Sequence, residues 1–469
     1  MTSPYATVII VNWNGAHLLP DCLDGLRRQR GSVVFQTWVV DNASHDGSAQ
    51  LLRQHYPEVR VVESDRNRGF AGGNNLALHQ VTTEFAVLLN NDAVPEPDWL
   101  ECLLAPMREP ASDGIGATTG KVVFASRYVR MQLSTPGFVP GPQDRRELGV
   151  RIGSVDVGAP DTPGRAALND VLWERLTYGR EGPVDAPFFW TRPAGQFLVP
   201  VPAGAADVTF SWAAERLKEV TLTWQGGRQV SFPVDCDPGH STVHLTAATP
   251  RCDVINNVGG IVVTEGYGAD RGYQQVDEGQ FAQAEEVFTG CGNGLAMRSE
   301  IGHRLGWFDE DFFLYYEDTD LSWRLRALGY EIRYEPRAVL RHLHAASSKE
   351  WSPLFVFHVD RNRLLMLTKN ATAALATRAV AHYLLTTASM FVRALRQAAG
   401  ARRRPPIRPT LLRLRVIASY LRLLPRMLRR RRELAGAAVG RRALQQRWLV
   451  APPPAATAEP APATADEAA

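Results

Sequence analysis

The 469-residue chain reads as an α/β protein built on a largely parallel sheet, with an all-β segment inserted into it and a basic helical region after it. Three observations predict this. Near the N-terminus, short apolar strands, polar loops and amphipathic helical patterns alternate four times, which is the signature of a parallel sheet whose site lies at the carboxyl ends of its strands. Over residues 126–251 that alternation stops, and the second half of the segment reads as short strands spaced by roughly ten residues, as in a small sandwich. Beyond residue 361, leucines and arginines recur at helical spacing.

The first strand is Thr7-Val8-Ile9-Ile10-Val11, a β-branched run suited to burial on both faces. It runs into Asn12-Trp13-Asn14-Gly15, after which Leu18, Leu19, Cys22, Leu23 and Leu26 follow a helical period. Thr37-Trp38-Val39-Val40 ends in Asp41-Asn42-Ala43-Ser44-His45-Asp46-Gly47-Ser48. Val59-Arg60-Val61-Val62 leads to a loop carrying Asn67, Gly69, Gly72, Gly73 and Asn74, and Phe85-Ala86-Val87-Leu88-Leu89 leads to Asn90-Asn91-Asp92. Every polar cluster follows a strand, so Asp41, the glycine loop and Asp92 are expected on one sheet edge. The glycine loop lacks both the Lys-Ser/Thr ending of a phosphate loop and the GxGxxG order of a dinucleotide fold. Entering a helix, it would still let backbone amides approach a phosphate or sugar; a plain turn is the alternative. For Asp92 the alternative is a cap on a helix over 96–104.

A second polar focus lies within residues 290–348. Phe312-Phe313-Leu314-Tyr315-Tyr316 is followed by Glu317-Asp318-Thr319-Asp320, three carboxylates in four residues, and a helical pattern begins there. Thr319 and Asp320 suit a helix start, where acids lie near the positive end. A carboxylate between an apolar wall and a helix start would be rigid and partly dry, as a general base requires. An acidic first turn satisfying its own amides is the other possibility.

Together these motifs resemble family 2 glycosyltransferases, most of all the bacterial rhamnosyltransferase and galactofuranosyltransferase branch. The resemblance rests on Val11-Asn12-Trp13-Asn14-Gly15, on Asp41 to Ser48, on Asn67-Arg68-Gly69-Phe70-Ala71-Gly72-Gly73-Asn74-Asn75 and on Leu89-Asn90-Asn91-Asp92-Ala93. Further on, Gly306-Trp307-Phe308-Asp309-Glu310, the Glu317-Asp318 pair and His342 extend it. It implies a GT-A fold and inverting transfer from a nucleotide-activated sugar. By matching position, Asp41 would hold the nucleotide base or ribose, and Asn12, Asn14, Asn67, Gly69, Gly72, Gly73, Asn74, Asn90 and Asn91 would line the donor pocket. Asp92 would bind Mg²⁺ or Mn²⁺ with His342 as a further ligand. His342 is preferred to His344 because the family's histidine falls five residues before a serine, here Ser347. Asp318 would be the base with Glu317 beside it, and Gly292, Trp307 and Asp309 would lie on the acceptor side. Asn90 stands where the family often has the first acid of its metal motif, which implies a less negative site and weaker metal binding.

The chemistry suits these residue types: a divalent ion neutralises a departing diphosphate, oxygen ligands and imidazole suit such ions, and an attacking hydroxyl must lose a proton. Nucleotidyltransferases of the same fold need a glycine-rich basic loop after the first strand, and Asn12-Trp13-Asn14-Gly15 is not one. The alternative from another class is a non-catalytic glycan-binding or scaffold protein that keeps the fold.

In the insertion, strands are predicted at 197–201, 208–212, 220–224, 230–234 and 243–245, with a turn at 225–228. Trp190, Trp212 and Trp224 either stack on sugar rings of an acceptor or fill the core. The resemblance assigns this segment no role.

Charge is distributed unevenly. Residues 361–450 carry 21 Arg or Lys against one acid, Glu433, whereas residues 1–360 sum to −14. An acidic body with a basic arm points to an anionic partner for the arm. Residues 364–392 are too interrupted for a membrane span. Around Leu411 to Leu424 the pattern is that of a cationic amphipathic helix on an anionic membrane surface, assigned to residues 400–450; packing back on the acidic body is the alternative. No nucleic-acid signature accompanies the arginines. Five scattered cysteines and the lack of a signal-peptide pattern point to a cytoplasmic protein, peripheral on the inner face of the membrane. The expected domains are 1–125 with 252–360, the insertion 126–251, the arm 361–450 and a disordered Ala/Pro tail, 451–469.

Overall fold

The β-branched run at the N-terminus forms strand β1 (Ala6–Asn12). Its side chains alternate between two cores: Ala6, Val8 and Ile10 join one cluster, Ile9 the other. Ile9 and Ile10 are both fully buried, each worth about 1.5–3 kcal/mol of transfer free energy. That two-sided burial places β1 inside the sheet rather than at its edge. The computed structural model describes residues 3–109, 112–160, 164–182, 187–224, 227–343, 352–401, 407–434 and 436–451. Part of the 225–228 turn, His344, Ser347, Arg402 to Pro406 and the tail from residue 452 lie outside them.

The chain divides into two compact units, one of residues 1–125 with 255–454, the other centred on 126–254. In the first unit, α1 (Leu19–Arg27), β2 (Phe35–Asp41), α2 (Ser48–His55), β3 (Arg60–Glu63), α3 (Gly69–Leu78) and β4 (Phe85–Asn90) follow β1. Next come the short β5 (Ala93–Pro95), α4 (Trp99–Arg108) and β6 (Ile115–Phe124). After the insertion the unit resumes with four short strands between residues 255 and 286, followed by β7 (Leu295–Arg298), α5 (Ser299–Leu305), α6 (Glu317–Ala327) and β8 (Glu331–His342). The main sheet runs β8-β6-β7-β4-β1-β2-β3. Strands β4, β1, β2 and β3 are parallel, while β7 enters antiparallel between β4 and β6. The sheet is therefore mixed, with helices on both faces.

Parallel register aligns the strand ends. Asn12 pairs with Asp41, and Val11 with Asn90. All three polar termini therefore open on one edge, where the sequence predicts the site.

Helices α7 (Pro353–Asn370), α8 (Ala373–Ala401), α9 (Arg408–Glu433) and α10 (Arg441–Trp448) share the first unit. The arm packs on the body through part of its charge: Arg426 pairs with Asp311, Arg430 with Asp309 and Asp311, and Arg413 with Asp360. Among the described residues no helix is long and apolar enough to cross a membrane.

The second unit is two antiparallel sheets around one core that includes Met131, Ile152, Phe197, Phe210 and Leu222. The five strands expected from sequence fall within observed strands Ala194–Val201, Ala206–Ala213, Lys218–Trp224, Arg228–Val234 and Gly239–Leu245. Trp212 and Trp224 are buried in that core. Trp190 is half-buried, edge-on to Phe138 and Phe188.

Candidate active site

The loop after β1 is closed by side chains. Asn12 is fully buried at the end of its strand; its Oδ1 accepts from Asn91 Nδ2 at 2.8 Å and its Nδ2 donates to Ser44 Oγ at 3.3 Å. Ser44 Oγ also accepts from the Asn14 amide, and Asn14 Oδ1 from the His45 amide. Asp41, 6% exposed, accepts from the Ser44 amide at 2.9 Å. Asn12, Asn14, Asp41 and Asn91 are thus one cluster, although their positions span 80 residues of sequence.

The glycine loop is built beside it. Asn67 Oδ1 accepts from the Gly69 amide (2.8 Å) and from Asn42 Nδ2 (3.1 Å). Asn42 also donates to the Gly69 carbonyl and accepts from the Arg68 amide. Gly69 has φ +69°, and a side chain there would run into the Phe313 carbonyl, so glycine answers both a backbone and a packing demand. A Cβ at Gly73 would lie 2.8 Å from Val11 Cγ1, so Gly73 lets α3 sit close on β1. A Cβ at Gly72 would meet that of Arg68 at 2.9 Å. Asn74 is buried and turns back to the Phe70 carbonyl.

Asp92 and His342 meet because of strand register. β5 pairs antiparallel with the end of β8, His342 opposite Ala93. His342 Nε2 lies 3.2 Å from Asp92 Oδ1, and its Nδ1 is 3.1 Å from Asn256 Oδ1. Asp92 is 5% exposed, and its Oδ1 has no hydrogen bond among the described residues. It does not cap α4, which starts at Trp99 behind Asp98. Among the described residues no group of three or more His, Cys, Asp or Glu side chains forms a metal cage. A carboxylate and an imidazole together fit a divalent ion that takes its remaining ligands from substrate phosphate and water.

Asp318 is tied to the same edge. The Asn90 amide donates to Asn293 Oδ1 at 3.4 Å, and the neighbouring Gly292 amide donates to Asp318 Oδ2 at 3.2 Å. Asp318 Oδ1 accepts from the Thr319 amide at 2.6 Å. Burial pushes the Asp318 carboxyl up, with the Gly292 and Thr319 hydrogen bonds opposing it. Glu317, 6% exposed, has an Oε2 without a hydrogen-bond partner, and burial together with Asp318 raises its pKa well above the usual range.

One expectation changes here. Thr319 and Asp320 do not start α6; it begins at Glu317, behind Tyr316 in a left-handed conformation. Asp320 is instead fully buried and held by Lys369 (2.8 Å), Arg324 (2.8 Å) and Asn370 (2.7 Å). Trp307 is 2% exposed, packs against Gly302 and donates to His303 Nδ1. Asp309 binds Lys369 Nζ at 2.8 Å and pairs with Arg430. Trp307 is thus packed against α5, and Asp309 is held by cations of α7 and α9. Asn42, Asn256 and Asn293 are not among the residues expected at the site from sequence; Asn42 lies inside the Asp41 motif, whereas no local pattern marks the other two. Asn75, at the end of the glycine motif, binds the backbone of Phe308 through both ends of its amide.

Part of the chain is similar in sequence to known glycosyltransferases. Residues 7–156 match glycosyl transferase family 2. Glycosyltransferase AglE of Haloferax volcanii is 29% identical over 127 residues, 26% of this chain and 41% of that protein. The pre-mycofactocin glycosyltransferase of Mycobacterium tuberculosis is 33% identical over 91 residues, 17% of this chain and 19% of that protein. The chain thus spans less than half the length of either relative. The mannosyltransferase PcManGT from Pyrobaculum calidifontis, solved with GDP-Man and Mn²⁺, superposes at a TM-score of 0.38 with 15% identity, over 90% of this chain and 88% of that one. The first unit is a GT-A fold, and the match to glycosyl transferase family 2 spans its residues 7–125 and continues to residue 156.

Proposed function

We propose that this chain is an inverting, metal-dependent glycosyltransferase. It moves a sugar from a nucleotide-diphosphate donor, dTDP-rhamnose or a UDP-sugar as in the rhamnosyltransferase and galactofuranosyltransferase branch, to a hydroxyl of a lipid-linked or polysaccharide acceptor. One observation carries the reading: the buried Asp92 Oδ1, 3.2 Å from His342 Nε2, on the sheet edge that also bears Asn12, Asp41 and Asn90. Asp92 and His342 would hold Mg²⁺ or Mn²⁺, which when bound neutralises diphosphate charge. The polar loop around Asp41 binds the nucleoside, and the α3 entrance presents backbone amides to the donor. Asp318, oriented by Gly292 and Thr319, accepts the proton of the attacking hydroxyl.

The test is transfer from a panel of nucleotide sugars with metal removed and restored. A chelator is expected to abolish transfer and Mn²⁺ or Mg²⁺ to restore it. No turnover with any donor would favour a non-catalytic glycan-binding role.

The arm supports placement on the cytoplasmic membrane face. On α9, Leu414, Leu421 and Leu428 are exposed, each followed directly by an exposed arginine, 415, 422 and 429. On α8, Leu384, Leu385, Phe391, Val392 and Leu395 are exposed along one helical face. Apolar side chains flanked by arginine suit an anionic lipid interface. The double variant Leu421→Glu, Leu428→Glu is expected to weaken binding to phosphatidylglycerol vesicles at least about tenfold, each buried side chain being worth roughly 1.5–3 kcal/mol. Unchanged flotation would contradict membrane attachment.

A further inference from the structure

Between the glycine loop and Asp318 runs a segment that its own residues do not favour. Phe313, Tyr315 and Tyr316 have φ of 66°, 69° and 68°, a left-handed region that bulky side chains rarely occupy. Such a conformation persists only where its surroundings over-determine it. Here the surroundings are α7. Asn362, fully buried, places its Nδ2 2.8 Å from the Phe312 carbonyl, 2.8 Å from that of Leu314 and 2.7 Å from that of Tyr315. Its Oδ1 accepts from Arg361 Nε at 2.9 Å, which sets the direction of the amide. Arg361 Nη2 adds bonds to the Asp311 and Phe312 carbonyls at 3.0 and 2.8 Å. From the other side, the Phe313 carbonyl accepts from the Ala71 amide in α3. The segment ends at Glu317 and Asp318.

We propose that Asn362 is a positioning residue for Asp318: it clamps the carbonyls of the left-handed segment and so sets where α6 begins and where the Asp318 carboxylate stands. This rests on Asp318 being the base of the glycosyltransferase reading. The residue touches no reacting atom itself. The donor loop has its own anchors, Asn42 on Gly69 and Asn75 on Phe308, so loss of Asn362 should fall on the chemical step more than on donor binding.

The experiment compares the full-length chain with Asn362→Ala and with Asn362→Ser, which keeps one donor and serves where the alanine variant folds poorly. Hydrogen exchange of the amides at 313–318 is measured beside donor KM and kcat. The clamp predicts exchange at 313–318 faster by about tenfold or more with the β1–β4 strands unchanged. It also predicts kcat lower by about 10- to 100-fold, donor KM within about threefold, and serine intermediate. Unchanged exchange at 313–318 would overturn it, as would a loss shared equally by KM, kcat and the protection of the whole sheet. If the unaltered chain transfers no sugar, the glycosyltransferase reading falls. The exchange measurement then still decides whether Asn362 holds the segment.

Discussion

Asp318→Asn is expected to lower kcat by about 10³-fold while leaving donor affinity within a factor of about three. General-base removal commonly costs about 10²- to 10⁴-fold, and the amide keeps the size of the carboxylate while its single oxygen can still accept one of the two hydrogen bonds from Gly292 and Thr319. The pH profile provides an independent sign. Burial raises the Asp318 pKa above its ordinary value, about 3.9 for aspartate. The active form is the carboxylate, so kcat/KM should rise with pH through a limb lying above that value, and Asp318→Asn should lose this limb. Steady-state kinetics from pH 4 upward would show it. A variant with unaltered kcat would remove Asp318 from the mechanism.

Lys369→Met is expected to destabilise the protein by about 3–5 kcal/mol, the usual consequence of removing one partner from a buried ion pair. Lys369 joins two buried acids, Asp309 and Asp320, at 2.8 Å each. Burial alone would raise the Asp320 carboxyl; Lys369 and Arg324 overcome it and hold the pKa at about 2. A folded pKa below the unfolded one contributes stability that is present above about pH 4 and is lost as pH falls toward 2. Without Lys369 that depression shrinks, so the variant should unfold at higher pH as well as at lower denaturant. Denaturant melts at pH 7 and pH 4 measure both effects. A change below about 1 kcal/mol would show that the network is not the strut joining α7 to the Asp309 loop.

The polar sheet edge was readable because a parallel sheet sends every strand-to-helix loop to the same side. Asn12, Asp41 and Asn90 each end an apolar run, and register did the rest. The approach of His342 to Asp92 depends on the antiparallel pairing of a three-residue strand, which no periodicity announces; only the family resemblance joined the two. Trp307 and Asp309 sit in a recognised motif, yet their partners lie on α5, α7 and α9, and a motif names a position without saying which side of the loop faces in. Asp320 looked like a helix-start residue because local propensity favours it there. A buried lysine 49 residues away claims it instead. In the arm, the alternation of leucine and arginine indicated an amphipathic helix but not the division of its arginines between the acidic body and the outer face.

Calorimetric titration of nucleotide sugars and nucleoside diphosphates, with and without Mn²⁺, into the intact chain and into Asp92→Asn tests the proposed donor site most directly. One nucleotide class is expected to bind, Mn²⁺ to tighten binding by about tenfold or more, and Asp92→Asn to remove the metal-dependent part alone. Equal binding with and without metal, or none with any nucleotide, would contradict the proposed site.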